Sequence, residues 1–210
     1  MSIAIYIPKQ YTKEDYQEIK AFMQRHNFVT VISTVEGRPI ATHVPVNVQE
    51  DEETLYITGH VAKGNQQWRT LDHGEHILVI FQGPHAYISS TWYEDEDVPT
   101  WNYQSVQVYG KSRLLTEEEL VSDLTKLLDK YEGQRDQGAT WNNMSERTKR
   151  QMKGVKGFRI KVTEIFAAYK LSQSRSTTDK DHIIDTLDHS DNHLDRAVAE
   201  AMAKEQGRSK

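Results

Sequence analysis

The chain of 210 residues has no cysteine, which excludes disulfides and thiolate metal sites. No apolar run approaches the ~20 residues that a membrane-spanning helix needs. The N-terminal stretch MSIAIYIPKQY lacks the basic, apolar, small-residue order of a secretory signal. Positive charge is not in surplus: the net charge is −5. A protein that reads DNA normally shows a basic face, because phosphate neutralisation supplies most of its affinity. Direct DNA contact is therefore doubtful. G-x-S-x-G, P-loop, G-x-G-x-x-G and H-E-x-x-H patterns are all missing. Together these absences favour a cytoplasmic protein with no membrane partner and no metal. What is present, 37% hydrophobic and 27% charged residues, suits a soluble globular chain with one sizeable core.

The hydrophobic pattern alternates between two periods. Tyr16, Ile19, Phe22 and Met23 share one face of a helix within 12–27. Strands follow in FVTVISTV, in IATHVPVNV, where Pro45 suggests an edge or a bulge, and in LYITGHV, separated by the turns EGRP and EDEE. A short helix fits NQQWRTLDH. The buried strand HILVIFQ then runs into Gly83-Pro84-His85, where a sheet would turn a corner. NYQSVQVYGKSRLL alternates again. Thr116 and Glu119 form a capping box ahead of the stripe Leu120, Leu124, Leu127, Leu128 and Tyr131, with Gly133 as the stop. FRIKVTEIFAAYKL returns to strand. Two helical patterns follow, one over 179–187 and one carrying Leu194, Val198, Ala201 and Met202. Short turns between strands favour an antiparallel sheet, and about six such strands tend to close into a small barrel. The expectation is a mainly β fold with peripheral helices: 1–170 as the barrel with inserted helices, 171–210 as a C-terminal helical extension.

Five stretches could carry chemistry. In GHVAKGNQQW a strand ends at His60, a loop holds Lys63 and Gly64, and a helix opens near Asn65. That is how a phosphate would be held, although an ordinary turn capped by Asn65 has the same pattern. In GRPIATHVPV, Thr42 and His43 lie mid-strand, where polar side chains line a pocket or face solvent. VPTWNYQSVQVYG puts Trp101, Tyr103 and Tyr109 on one strand face, with Trp92 and Tyr93 near in sequence. Such rings stack on a flat ligand, line an interface or plug a barrel end. YKLSQSRS offers a second anion contact or a plain link. SERTKRQMKGVKGFRIK is the one local excess of cations, and it reads as a solvated connection between helix and strand before a nucleic-acid patch. His182, His189 and His193 lie at spacings that make a poor metal site.

Taken in order, YIPKQY, GRPIATHVPV, GHVAKGNQQW, VIFQGPHAYISSTWY, VPTWNYQSVQVYG and KLSQSRS resemble the PaiB family, over nearly the whole chain from Tyr6 to Met202. That family is described as FMN-binding negative regulators of protease synthesis and sporulation. The resemblance implies an antiparallel split β-barrel of the FMN-binding type, assembled as a homodimer. It implies FMN as cofactor, with His60, Lys63, Asn65 and Gln66 at the phosphate, Thr42 and His43 beside the flavin, and Trp101 and Asn102 approaching the ring. The aromatic corner 83–93 would then help wall a planar ligand at a subunit boundary. The chain departs from the family pattern at Lys63, where Arg is common, at Gln67, where Pro is common, and at Ser174, where Asn is common. Lys keeps the charge and loses the two-pronged geometry. Two rival readings stand beside this one. The first is an NAD(P)H-dependent flavin or nitro-compound reductase, whose chemistry would belong to the flavin. The second is a haem-binding protein with His43, His60 or His85 as axial donor.

Overall fold

A computed structural model of the chain describes residues 5–208; Met1–Ala4 of the N-terminal stretch lie outside them. The strands are β1 (Phe28–Val35), β2 (Arg38–Asp51), β3 (Thr54–Ala62), β4 (Ile77–Ile88), β5 (Thr100–Leu114) and β6 (Val155–Lys170). The helices are α1 (Tyr16–Arg25), α2 (Trp68–Leu71), α3 (Glu117–Glu132), α4 (Glu146–Lys149), α5 (Thr177–Asp188) and α6 (His193–Glu205). The six strands close in the order β1-β2-β3-β6-β5-β4, the antiparallel barrel expected from the short turns. By compactness the chain divides into two units. One comprises Met1–Ile19, Gln82–Val106 and Phe166–Lys210; the other comprises Lys20–Phe81 and Gln107–Ile165.

In the second unit two tight hairpins set the register. Glu36 and Gly37, with φ of 48° and 80°, turn β1 into β2 across the closing pair Val35–Arg38. Glu52 and Glu53 turn β2 into β3 with φ of 46° and 64°. Two-residue hairpins need this left-handed backbone to match strand twist, although each non-glycine residue there costs roughly 1 kcal/mol. The register turns Val29 and Val31, Val44, Val46 and Val48, and Leu55, Ile57 and Val61 into the core. Gly59 shares that face, because a Cβ there would meet the Phe158 ring at 3.0 Å and the Pro45 carbonyl at 3.2 Å. Pro45 faces Phe28, the first residue of β1, and β2 runs on past it unbroken. The capping box on α3 forms as its sequence predicts: Glu119 accepts from the Thr116 amide and also takes a two-pronged bond from Arg113, at 2.6 and 2.7 Å. These partners hold the Glu119 carboxyl down at about 2, the Arg113 bonds first and the backbone amide second.

In the first unit α5 buries Ile183 and Leu187, and α6 buries Val198, Ala199, Met202 and Ala203. The expected corner at Gly83-Pro84 does not form; β4 continues to Ile88. What changes is the face. Ile77, Val79 and Phe81 are buried at odd positions, whereas Pro84, Ala86 and Ile88 are buried at even ones, with Gly83 buried between the two sets. Glycine without a Cβ and proline without an N–H suit such a slip. Its effect is to leave the rings of His85 and Tyr87 on the more exposed face.

Candidate functional site

The turn after β3 is built around a residue that pattern reading passes over. Gln67 is only 2% exposed. Its amide nitrogen donates to the Val31 carbonyl and to Ser33 Oγ, each at 3.0 Å, while its oxygen accepts from the Thr42 hydroxyl. Thr42 in turn accepts from Asn65 Nδ2 at 2.8 Å, and Asn65 Oδ1 accepts from the Gln67 backbone N–H at 3.0 Å. Thr42, Asn65 and Gln67 thus close a ring of bonds that ties the turn to β1 and β2. The helix opens later than expected, at Trp68, with Gln67 and not Asn65 at its N-cap; Asn65 braces the turn before it. The helix that follows, α2, has only four residues, so its dipole is small. Lys63 and Gln66 stay exposed at this corner, and among the described residues neither side chain is paired. Trp68 Nε1 donates to the Lys63 carbonyl at 3.2 Å. His43 is exposed, shares a hydrogen bond with Thr30 Oγ1 at 3.0 Å and stacks on Phe28 at 6.3 Å.

His60 points elsewhere. It alternates with the core-facing Gly59 and Val61 and shares its side of β3 with Tyr56 and Thr58. Asp123 of α3 covers that side: it is 4% exposed, and its Oδ1 accepts from Asn47 Nδ2 at 2.7 Å and from the Thr58 hydroxyl. Asp123 Oδ2 and His60 Nδ1 are buried without hydrogen-bond partners. Burial pushes the His60 imidazole below its ordinary value, and the Asp123 charge opposes that shift. A carboxylate so near His60 disfavours an anion there. A cavity of about 370 Å³ adjoins, lined among others by Tyr56, Thr58, Glu119, Asp123, Lys126 and Arg159.

In the first unit Trp101 is 47% exposed and meets the rings of His85 and Tyr87 at 5.8 and 5.9 Å. Asn102 points the opposite way and is fully buried. Its amide donates to Ser172 Oγ at 2.9 Å and to Met202 Sδ at 3.4 Å, so it anchors β5 to the segment after β6. In KLSQSRS, Ser172 adopts a left-handed φ of 60°, and Arg175 stacks on Tyr93 at 3.8 Å while pairing with Asp97 at 2.5 Å.

Of the residues singled out in the sequence, the structure brings Thr42 and Asn65 into one bonded cluster and places Lys63 and Gln66 at its rim. His43 and His60 stand apart from that cluster with partners of their own. Trp101 and Asn102 lie in the other unit, on opposite faces of β5. Gln67 and Asp123 were missed. Only a polar residue inside an otherwise apolar face, as Asp123 is between Leu120 and Leu124, could have flagged either. Among the described residues no three His, Asp or Glu side chains gather in a metal-holding arrangement, and no helix is long and apolar enough to cross a membrane.

Residues 5–164 match a family model described as "Putative FMN-binding domain". The chain is 48% identical over 199 residues to protease synthase and sporulation protein PAI 2 of Bacillus subtilis, covering 94% of this chain and 96% of that one. Among solved structures it superimposes on the flavocytochrome Anf3 of Azotobacter vinelandii with a TM-score of 0.61 at 13% identity, over 78% of this chain and 72% of that one. The FAD and haem binding protein of Mycobacterium smegmatis gives a TM-score of 0.58 at 12% identity, over 76% and 73%. At such identities the structural likeness speaks for the fold.

Proposed function

This chain belongs to the PaiB family of FMN-binding-domain proteins, and from that premise we propose that it is a cytoplasmic, homodimeric regulatory protein that represses transcription in response to bound FMN. The family match over residues 5–164 carries the reading. The residues present fit the group. FMN joins a phosphate dianion to a flat ring system. Within the second unit, the exposed Lys63 ammonium and Gln66 amide suit a phosphate; within the first, taken by itself, the half-exposed Trp101, flanked by His85 and Tyr87, suits stacking on a flat ring. Thr42 and Asn65 act one step back, by fixing the turn that carries Lys63 and Gln66. His43 lies exposed and able to reach a ligand edge, and Asn102 fixes the strand that carries Trp101. His60, next to a carboxylate, is the weakest of the phosphate contacts. When bound, FMN supplies redox chemistry of its own, to which the protein adds orientation and shielding from water.

Exposed rings support the dimer. Tyr87 is 50% exposed and Trp101 47%, with ring centroids 5.9 Å apart, an open aromatic patch of the kind that suits an interface. The test is to titrate FMN into the wild type, Lys63→Ala and Trp101→Ala while following flavin fluorescence, with sedimentation analysis of the same samples. Each substitution should weaken binding about tenfold, the loss of one charge-assisted hydrogen bond or one stacked ring. Equal affinity in all three proteins would remove the site assignment, and a monomer at every concentration would remove the dimer.

A further inference from the structure

Two stretches distant in sequence meet at one corner of the second unit. In the β3–β6 register Val61 faces Lys156 and Ala62 faces Val155, and one step beyond, the Lys63 amide donates to the Gly154 carbonyl at 2.9 Å. The Trp68 indole marks the junction: the Arg69 guanidinium and the Lys156 ammonium each lie 5.3 Å from its ring. The 3-10 turn Arg150–Gly154 adds Arg150 and Lys153, both exposed. Residues 62–69 and 147–161 together hold nine cations and no carboxylate, in a chain of net charge −5. Lys149 pairs with Glu146 and Arg159 with Asp51. None of the other seven has an ion pair among the described residues, and of these Lys63, Arg69, Arg150, Lys153 and Lys156 make up the corner. Taken segment by segment, each stretch is an ordinary solvated turn; the register makes one basic surface of them.

Gathering like charges without counter-charges gains the fold nothing and raises the local potential. We propose that this corner binds the phosphodiester backbone of a nucleic acid. The inference does not depend on the flavin reading. A single phosphate would engage only one or two of these cations. Here four of the five cations are exposed and spread over two turns, which suits a repeating charge. The helices at this corner, α2 and α4, have four residues each and are too short to read a groove. The contact is therefore to backbone, without sequence readout. An acidic remainder confines binding to this face and makes it steeply salt-dependent.

The experiment follows the fluorescence anisotropy of a labelled mixed-sequence duplex with the full-length protein from 50 to 200 mM salt. Five phosphate contacts give a slope of about −4 to −5 in log affinity against log salt. The variant Arg150→Gln/Lys153→Gln/Lys156→Gln should lower affinity at 50 mM salt at least thirtyfold and flatten the slope by about three. The variant Lys9→Gln/Lys180→Gln/Lys204→Gln, with the same change in net charge elsewhere, should stay within about threefold. Arg150→Gln/Lys153→Gln alone, which touches no packed ring, guards against a folding defect and should show about two-thirds of the flattening. A labelled single strand bound with a shallower slope supports the backbone reading. No binding of either nucleic acid at 50 mM salt overturns the proposal, and so does an equal loss in the two triple variants. FMN titration of Arg150→Gln/Lys153→Gln/Lys156→Gln should match the wild type, so that failure of this proposal and failure of the flavin site are told apart.

Discussion

Two polar clusters in the same unit, one around Gln67 and one around Asp123, are buried to nearly the same degree and satisfied to different degrees. At Gln67 the amide of the side chain meets two carbonyls and two hydroxyls, and Thr42 and Asn65 complete the ring. At Asp123 one carboxylate oxygen is doubly bonded and the other has no partner, with His60 Nδ1 orphaned as well. A closed network positions the backbone around it. An open one holds a charge at a cost. The Gln67 cluster is thus a scaffold for the Lys63 corner, while the Asp123 cluster is the part of the unit whose energy should depend on pH.

Deleting the centre of each cluster should separate them most. Gln67→Leu keeps the volume and strands the Val31 carbonyl and the Thr42 hydroxyl, so urea unfolding should report a loss of about 3 kcal/mol. Asp123→Ala strands less: Asn47 Nδ2 still reaches the Asp123 carbonyl at 3.1 Å, and the orphan oxygen disappears. Its loss should be about 1 kcal/mol, and Asp123→Asn should be near neutral at pH 7. Equal losses at the two centres would erase the distinction between closed and open networks.

A proton titration sharpens the same contrast. Burial lowers the His60 pKa in the folded chain, and His26 is lowered in the same way, with Arg25 adding to the effect. An unfolded chain then binds more protons than the folded one once the pH drops below about 6.5. Stability is complete above that value and falls as pH descends from it toward the folded pKa values. The slope is at most about 1.4 kcal/mol per pH unit for each histidine. His60→Gln should flatten the urea midpoint between pH 5 and 6.5. Asp123→Asn should steepen it, because removing the negative charge lowers the His60 pKa further. A profile that ignores both substitutions would mean His60 is not coupled to Asp123. Gln67→Leu should leave its shape unchanged.

Legibility in the sequence follows the same division. Periodicity gave β1 to the residue and placed α1 and α3, and the Thr116–Glu119 pair gave the start of α3, because these signals are local. Gly83-Pro84 was legible as a disturbance of β4 but not as a change of face, since both outcomes use the same residues and only the sheet partners decide. Gln67 was legible only as a departure from the family pattern, and its role was not: a glutamine in a polar turn looks solvated until β1 and β2 close over it. His60 and Lys63 sit three residues apart and read as one loop, yet the alternation of β3 sends His60 toward α3, away from the corner that Lys63 occupies. A strand end that points two ways cannot be split into its faces before its neighbours are known.

The smallest expected effect tests that split most sharply. Lys63→Ala removes an exposed, unpaired side chain and should change stability by less than about 0.5 kcal/mol. Asn65→Ala breaks the bonds to Thr42 and to the Gln67 amide and should cost about 1 kcal/mol, as loss of a part-buried hydrogen-bonded side chain does. If Lys63 is a ligand contact and Asn65 a support, FMN affinity measured well below the unfolding midpoint drops in Lys63→Ala with no stability change, whereas Asn65→Ala shows both changes together. A stable Asn65→Ala that has lost FMN would make Asn65 a direct contact and would place the ligand inside the Gln67 cluster rather than at its rim.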